Sequence, residues 1–418
     1  MDLQTTSPAL DNALINPANW QDEAGIHAQF KWLRANEPVR WMAPEGFEPF
    51  WNIVKYDDIK AIAGNKARFI NDPRPILGPQ GMQEMVQMMT GRKHLVRSLV
   101  QMDDPDHMKY RMLTQSWFMG TNLRKLQARV DELARHYVDR LLEFDGECDF
   151  VKDIAIWYPL RVIMEILGVP EKDEALMLKL TQELFGSSDP DVQRSFEPQD
   201  FLKVVEDFDA YFDELTAARR AQPTDDAASL IANAEFDGEP MPRLDVNGYY
   251  TIIATAGHDT TSASTAGGLL ALMEHPAQMQ KLAENVDTLL PSAIDEMIRW
   301  VSPVRHFMRT ATEDFALRDV TIEAGQSVAL WYPSANRDET VFEAPDEFRV
   351  DRSGTKQLAF GFGAHVCLGQ HLARMEMTAL FRQLLARVKF FELAGEPRYT
   401  QSTFVGGLKT LPIRFRAR

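Results

Sequence analysis

Cys367 is one of only two cysteines in a chain of 418 residues, and it sits in the stretch FGFGAHVCLG, residues 360–369. Gly361, Gly363 and Gly369 permit positive φ or the close approach of a flat ligand. The residues that follow read as a helix, and a helix N-terminus favours an anion, here a thiolate. A dinucleotide-binding fingerprint fails, because Val366 stands at the third glycine position. Zinc would need more soft ligands nearby than this chain offers. A protease cysteine would need a base, and no cysteine-protease signature surrounds Cys367. A structural cysteine beside a glycine turn is the ordinary alternative. One use accounts for the glycines, the lone thiol and the helix start together: a fifth ligand to a haem iron.

The same loop fits the pattern Phe-x-x-Gly-x-(Arg/His)-x-Cys-x-Gly, with Phe360, Gly363, His365, Cys367 and Gly369 each in place. In this it resembles the cytochrome P450 family. The resemblance implies haem b as the cofactor, Cys367 as its proximal thiolate, Phe360 shielding the sulfur, and backbone N–H groups after the cysteine tuning its donor strength. The stretch AGHDTT, residues 256–261, resembles the family's oxygen-activating segment. It implies that Ala256 and Gly257 leave room for dioxygen and that Asp259 and Thr260 form an acid–alcohol pair. Reducing dioxygen to water consumes protons, and a hydroxyl and a carboxylate can order water and relay them. Taken singly, Asp259 reads as a solvated helix residue and Thr260 as a core threonine. His258 between them is given no role.

EMIR, residues 296–299, matches the family's Glu-x-x-Arg, and Glu296 and Arg299 share a helix face. This is a structural motif. A third member commonly follows, and Arg349 or Arg352 in PDEFRVDR can supply it. The two propionates of a haem need cations. His107 and Arg111, one helical turn apart, with Arg309 and His365, are the candidates. The resemblance also implies a substrate pocket lined by Met82, Met85 and Met88 from a methionine-rich loop, Ile252 and Ile253 from the central helix, Val301 and Val304 after the Glu-x-x-Arg helix, and Phe404 and Val405 near the tail. Core packing is the ordinary reading of any one of these. Together they offer almost no charge, which favours a compact apolar molecule.

Positioning these residues calls for a mainly α architecture with a small β portion, as in the cytochrome P450 fold, and residues 1–418 are read as a single domain. The runs VRWM and FWNIVKY predict a hairpin. In DDPDHMKYRML, Asp104 is expected to cap a helix with Pro105 at its first position. One long helix is expected from about Val246 to Glu274, despite β-branched threonines and the glycines Gly257, Gly267 and Gly268, which lower its propensity. The tail FVGGLKTLPIRF predicts a short hairpin, and the stretch from Arg220 to Asp245 a surface connection.

Composition bounds the function class. The net charge of −16 disfavours nucleic acid or an anionic membrane as partner. The first twenty residues have no basic and apolar leader pattern, the most apolar long stretch contains His258 and Asp259, and two distant cysteines fit a reducing compartment. A cytoplasmic monomer is expected, without membrane attachment. The resemblance implies a haem-thiolate monooxygenase that hydroxylates a small hydrophobic substrate, a monocyclic terpenoid or a small aromatic or alicyclic hydrocarbon. Its electrons would come from NAD(P)H through a ferredoxin reductase and an iron–sulfur ferredoxin, docked on a patch around Lys109, Arg111, Lys356 and Arg374. A peroxide-driven peroxygenase and a non-enzymatic haem-thiolate sensor are the alternatives. The acid–alcohol pair argues against the first and the lack of an output domain against the second.

Overall fold

The computed structural model describes residues 7–186, 188–194, 198–354 and 356–418. Helices dominate. Those that build the site are α1 (Met82–Thr90), α2 (Asp106–Gln115), α3 (Gly120–Glu143), α4 (Trp157–Leu167), α5 (Glu174–Phe185), α6 (Pro198–Ala221), α7 (Arg243–Ala256), α8 (Asp259–Glu274), α9 (Val286–Val301) and α10 (Gln370–Arg387). A five-stranded sheet holds β1 (Val39–Met42), β2 (Phe50–Ile53), β3 (Phe69–Ile70), β4 (His306–Ala311) and β5 (Ser327–Trp331), in the order β1-β2-β5-β4-β3. β2 and β5 run parallel and the other pairs antiparallel. β1 and β2 form the expected hairpin, with Met42 opposite Phe50.

The largest apolar core joins α3, α4, α7, α8, α9 and α10. α9 shows why these segments are helical. Leu290, Ala293, Ile294, Met297 and Ile298 recur at three- and four-residue spacing and all are buried. Each such leucine or isoleucine contributes about 1.5–3 kcal/mol on leaving water.

Four local expectations are corrected. The long central helix is two helices, α7 and α8, with the break at Gly257 and His258. Asp104 is not the N-cap residue of α2. Its carboxylate pairs with Lys66, and Pro105 stands before the helix begins. The strands of the tail, Leu408–Thr410 and Pro412–Ala417, do not pair with each other. The first pairs with Arg398–Tyr399 and the second lies between Val388–Leu393 and Glu147–Asp149, because the chain crosses from one small sheet to another at Leu411. The expected surface connection contains a short helix, Ala227–Ala232, whose Ala227, Ala228 and Ile231 are fully buried.

Candidate functional site: a haem-sized cavity between the cysteine loop and the central helices

The cysteine loop is shaped by two glycines. Gly361 and Gly363 have φ of +72° and +78°, a region costly for residues with a Cβ. At Gly363 a Cβ would also lie 2.2 Å from the Ala63 carbonyl oxygen. The loop closes on itself through the Cys367 N–H, which donates to Phe360 O at 2.8 Å. Cys367 therefore arrives just before α10 with its thiol on the wall of a large cavity. Removal from bulk water raises the thiol above its ordinary pKa. The N–H groups of Gly369 and Gln370 and the guanidinium groups of Arg111 and Arg374 oppose this. The Arg374 guanidinium also lies 4.5 Å from the centre of the Phe360 ring. The other cysteine, Cys148, is partly buried on a strand away from the cavity, where burial pushes its thiol up to about 12.

The cavity measures about 1200 Å³ and its walls are mostly apolar. Pockets for one small ligand span about 300–1,000 Å³, so this one has room for a macrocycle and a second molecule. His107, Arg111, Arg309 and His365 all line it. Arg111 donates to Val366 O at 2.8 Å and Arg309 to Met308 O at 2.7 Å, and neither has a carboxylate within ion-pairing distance among the described residues. Burial lowers the pKa of both guanidinium groups, with Cys367 and Tyr249 opposing this at Arg111, and Tyr332 and Asp103 at Arg309. The ring centres of His107 and His365 lie 3.8 Å apart with their planes tilted by 31°, and His107 Nε2 is buried without a hydrogen-bond partner. Burial lowers the pKa of both imidazoles, and that of His365 falls to about 2. Two guanidinium cations without a carboxylate partner, beside two imidazoles of which one has an unsatisfied nitrogen, form a cluster that fits two propionates. Asn71, which the sequence did not single out, places its side-chain amide 3.3 Å from His365 Nδ1.

The helix break shapes the other wall. The His258 ring bonds Ala254 O through Nδ1 at 3.0 Å, and the Thr260 hydroxyl donates to Ala256 O at 3.1 Å. Two side chains thus satisfy carbonyls freed by the interrupted ladder. Ala256, Gly257 and Thr260 line the cavity. The missing Cβ of Gly257 is accounted for by packing, since a Cβ there would lie 2.4 Å from Ile163 Cγ1 on α4. Asp259 is not on the cavity wall. Its carboxylate meets His258 Nε2 at 3.0 Å. The expected acid–alcohol pair is therefore a pair in sequence, with its two groups turned to different sides.

Of the expected substrate-pocket residues, Met82, Met85, Ile252, Ile253, Val304, Phe404 and Val405 line the cavity. Two do not. Met88 is on the outer side of α1 and is 82% exposed. Val301 packs on Gly267, where a Cβ would lie 2.6 Å from its Cγ2. Leu184, Phe185 and Phe201 from α5 and α6 also line the cavity, and nothing local in their sequence marks them. Phe404 stacks edge-on with Phe185 and Phe307, 6.0 and 5.4 Å between centres. Arg305 and His306 carry no charge into this space. The Arg305 guanidinium lies 4.1 Å from the Trp20 ring centre, outside the cavity lining. His306 donates from Nδ1 to Thr403 O and accepts the Leu77 N–H at Nε2, which makes the ring neutral.

Behind the site, Arg299 holds Glu296 with Nε at 2.7 Å and Nη2 at 2.8 Å. The third member is Arg352, whose Nε lies 3.0 Å from Glu296 Oε2, while Arg349 contributes only its backbone N–H.

A cysteine-bearing glycine loop facing broken central helices across such a cavity is the architecture of a haem-thiolate enzyme. Residues 46–415 match the cytochrome P450 family model, and the chain belongs to that family: it is a cytochrome P450 monooxygenase with iron protoporphyrin IX as cofactor. Cytochrome P450-terp from a Pseudomonas species is 43% identical, with 99% of each chain covered. Linalool 8-monooxygenase from Pseudomonas putida is 33% identical over 93% of this chain and 95% of that one. Among solved structures, CYP108D1 from Novosphingobium aromaticivorans superimposes with a TM-score of 0.90 at 44% identity, covering 98% of this chain and 99% of that one. No helix among the described residues is long and apolar enough to cross a membrane.

Proposed function

We propose that this P450 hydroxylates a compact hydrophobic molecule, a monocyclic terpenoid or a small aromatic or alicyclic hydrocarbon, with electrons from NAD(P)H by way of a ferredoxin reductase and an iron–sulfur ferredoxin. The observation that carries the substrate class is the uncharged wall formed by Ile252, Ile253, Val304, Phe307, Phe404 and Val405, from which Arg305 and His306 are turned or neutralised, while Glu183 and Arg194 elsewhere on the lining are paired with each other at 2.6 Å. A carboxylate or amine there would be desolvated without a partner. Relatives named cytochrome P450-terp and linalool 8-monooxygenase support a terpenoid-like substrate.

In this reading Cys367 ligates the iron, and His107, Arg111, Arg309 and His365 hold the propionates. When bound, the haem iron supplies the activation of dioxygen. The residues supply the rest. Phe404, Phe307 and Phe185 exclude water and orient the substrate. The methionines of α1 give the wall an adaptable edge. Thr260 presents a hydroxyl on the cavity wall and orders the water through which protons arrive, and Asp259 brings those protons from outside. Residues 1–418 act as one catalytic unit, a cytoplasmic monomer.

Ligand titration tests the substrate class. Terpineol, limonene, cymene or biphenyl should shift the haem from low to high spin, and a long-chain fatty acid should not. A shift with the fatty acid alone overturns the reading.

A further inference from the structure

His258 has no place in the mechanism so far, yet it is among the most fully enclosed polar side chains of the molecule, with no exposed surface. Its ring has three hydrogen-bonding neighbours. Nδ1 lies 3.0 Å from the Ala254 carbonyl oxygen, which can only accept. Nε2 lies 3.3 Å from Thr181 Oγ1 on α5 and 3.0 Å from Asp259 Oδ1. The Thr181 hydroxyl has the Leu178 carbonyl oxygen as acceptor for its hydrogen at 3.0 Å, which leaves its lone pairs for the ring. With Asp259 as a carboxylate all three neighbours accept, and a neutral imidazole has one N–H for two sides. The arrangement is satisfied when both ring nitrogens carry hydrogen and Asp259 is ionised.

We propose that His258 is a buried, doubly protonated imidazolium that positions the Asp259 carboxylate off the cavity and stores the proton that Asp259 delivers toward Thr260. This rests on the reading of Thr260 as the residue on the oxygen side. In the delivery step the Nε2–H bond breaks and an O–H bond forms on Asp259. A neutral acid and a neutral ring remain, and Nδ1–H still holds Ala254. The acid has lost its counter-ion and is free to turn toward Thr260 and release the proton into the water that Thr260 orders. One proton from solvent then restores the pair, by way of Asp259, whose side chain keeps 18% of its surface exposed.

The surroundings agree with a single counter-ion. The ring's pKa is raised: burial lowers it, but the Asp259 charge, its hydrogen bond and the bond to Ala254 together outweigh that effect. The charged groups of the facing helix α5 are engaged elsewhere, Glu174 with Arg161, Lys179 with Glu183, and Glu183 with Arg194. On α4, Arg161 and Glu165 are likewise paired, Glu165 with Arg129. Asp259 alone among the described charged groups contacts the ring.

The test combines a spectrum with turnover. In the reduced, carbon-monoxide-bound holoenzyme, which is diamagnetic, ¹⁵N-histidine spectra at neutral pH should show one ring with both nitrogens protonated, absent from His258→Gln. In Asp259→Asn that ring should become neutral. A neutral ring in the native enzyme, or an unchanged one in Asp259→Asn, overturns the proposal, and neither result needs His258→Gln to fold. His258→Gln keeps an N–H donor for Asp259 but has no proton to give. Turnover should fall on the order of 10²-fold with a larger solvent isotope effect, as for loss of a general acid, and His258→Phe should add loss of coupling to product. Full rescue by glutamine would reduce His258 to a structural role and overturn the proton store. Loss of the thiolate-type carbon monoxide band in the native protein would instead sink the haem-ligand reading, leaving the state of His258 to be read separately from the nitrogen spectrum.

Discussion

Arg352 Nε sits 3.0 Å from Glu296 Oε2, across 56 residues of chain, and completes a buried cluster that Arg299 alone would leave half built. The same guanidinium donates to the carbonyls of Glu343, Ala344 and Glu347, which ties the segment before the cysteine loop to α9. Opening a buried charge pair costs about 3–5 kcal/mol. Arg352→Ala should therefore lower the unfolding free energy by that much, with a lower denaturation midpoint and a lower yield of haem-loaded protein. Arg349→Ala keeps the backbone N–H used here and should stay within about 0.5 kcal/mol of the parent. Equal losses in the two variants would contradict the assignment.

The two cysteines divide sharply. Cys367 opens on the cavity, and Cys148 is a partly buried strand residue. Reduced protein with carbon monoxide should show the red-shifted Soret band of a thiolate-ligated haem. Cys367→His should lose the band, and Cys148→Ser should keep it. The reverse pattern would mean the wrong thiol has been chosen.

Thr260 and Asp259 face different sides, so their variants should differ in kind. Thr260→Ala should go on consuming reduced cofactor while diverting a several-fold larger share to hydrogen peroxide. Asp259→Asn should slow turnover with coupling less affected. Unchanged peroxide yield in Thr260→Ala would remove its proposed role.

Two of the four cations of the expected basic docking patch are paired internally, Lys109 with Asp237 at 2.6 Å and Arg374 with Asp295 at 2.8 Å. What α2 exposes instead is Met108 and, 67% exposed, Met112. Apolar contact at the centre of an interface outweighs rim charges. Met112→Glu should raise the apparent KM for ferredoxin about tenfold, and Lys109→Glu only about two-fold, with substrate affinity unchanged in both. A larger effect at Lys109 would restore the charge-driven model.

Burial pushes the His306 ring down to about 4, with the bond to Thr403 O opposing and Arg305 adding to the effect. A ring whose folded pKa lies below its unfolded value of about 6.5 contributes its full stability above that value and loses it as pH falls toward 4. The loss is about 3 kcal/mol across that window. His306→Gln cannot titrate, so its melting temperature should fall less between pH 6.5 and 4.5 than that of the parent. Parallel curves would show that His306 is not protonated on unfolding.

Much of the site was legible in the residues because its signals are local. The cysteine loop needs glycines at Gly361 and Gly363 for backbone reasons that act within a few residues, and the Glu296–Arg299 pair follows from helical spacing alone. The apolar periodicity of α9 and the β1–β2 hairpin are local in the same sense. Other features depended on which segments meet. Arg349 and Arg352 are equivalent in sequence, and only the path of the chain past Glu296 separates them. Met88 differs from Met85 by less than one helical turn, yet one faces solvent and the other the cavity, because that depends on what α1 packs against. Phe185 and Phe201 became cavity walls through the placing of α5 and α6 over α7. The central helix reads as continuous because propensity is summed along the chain. It breaks at His258 because Ala254 O, Thr181 and Asp259 together satisfy the ring and the freed backbone, and Thr181 is 77 residues away. Residue types and spacing thus determined the chemistry available to this protein, while tertiary contact decided which side each group faces, since burial and hydrogen-bond partners come mostly from elsewhere in the chain.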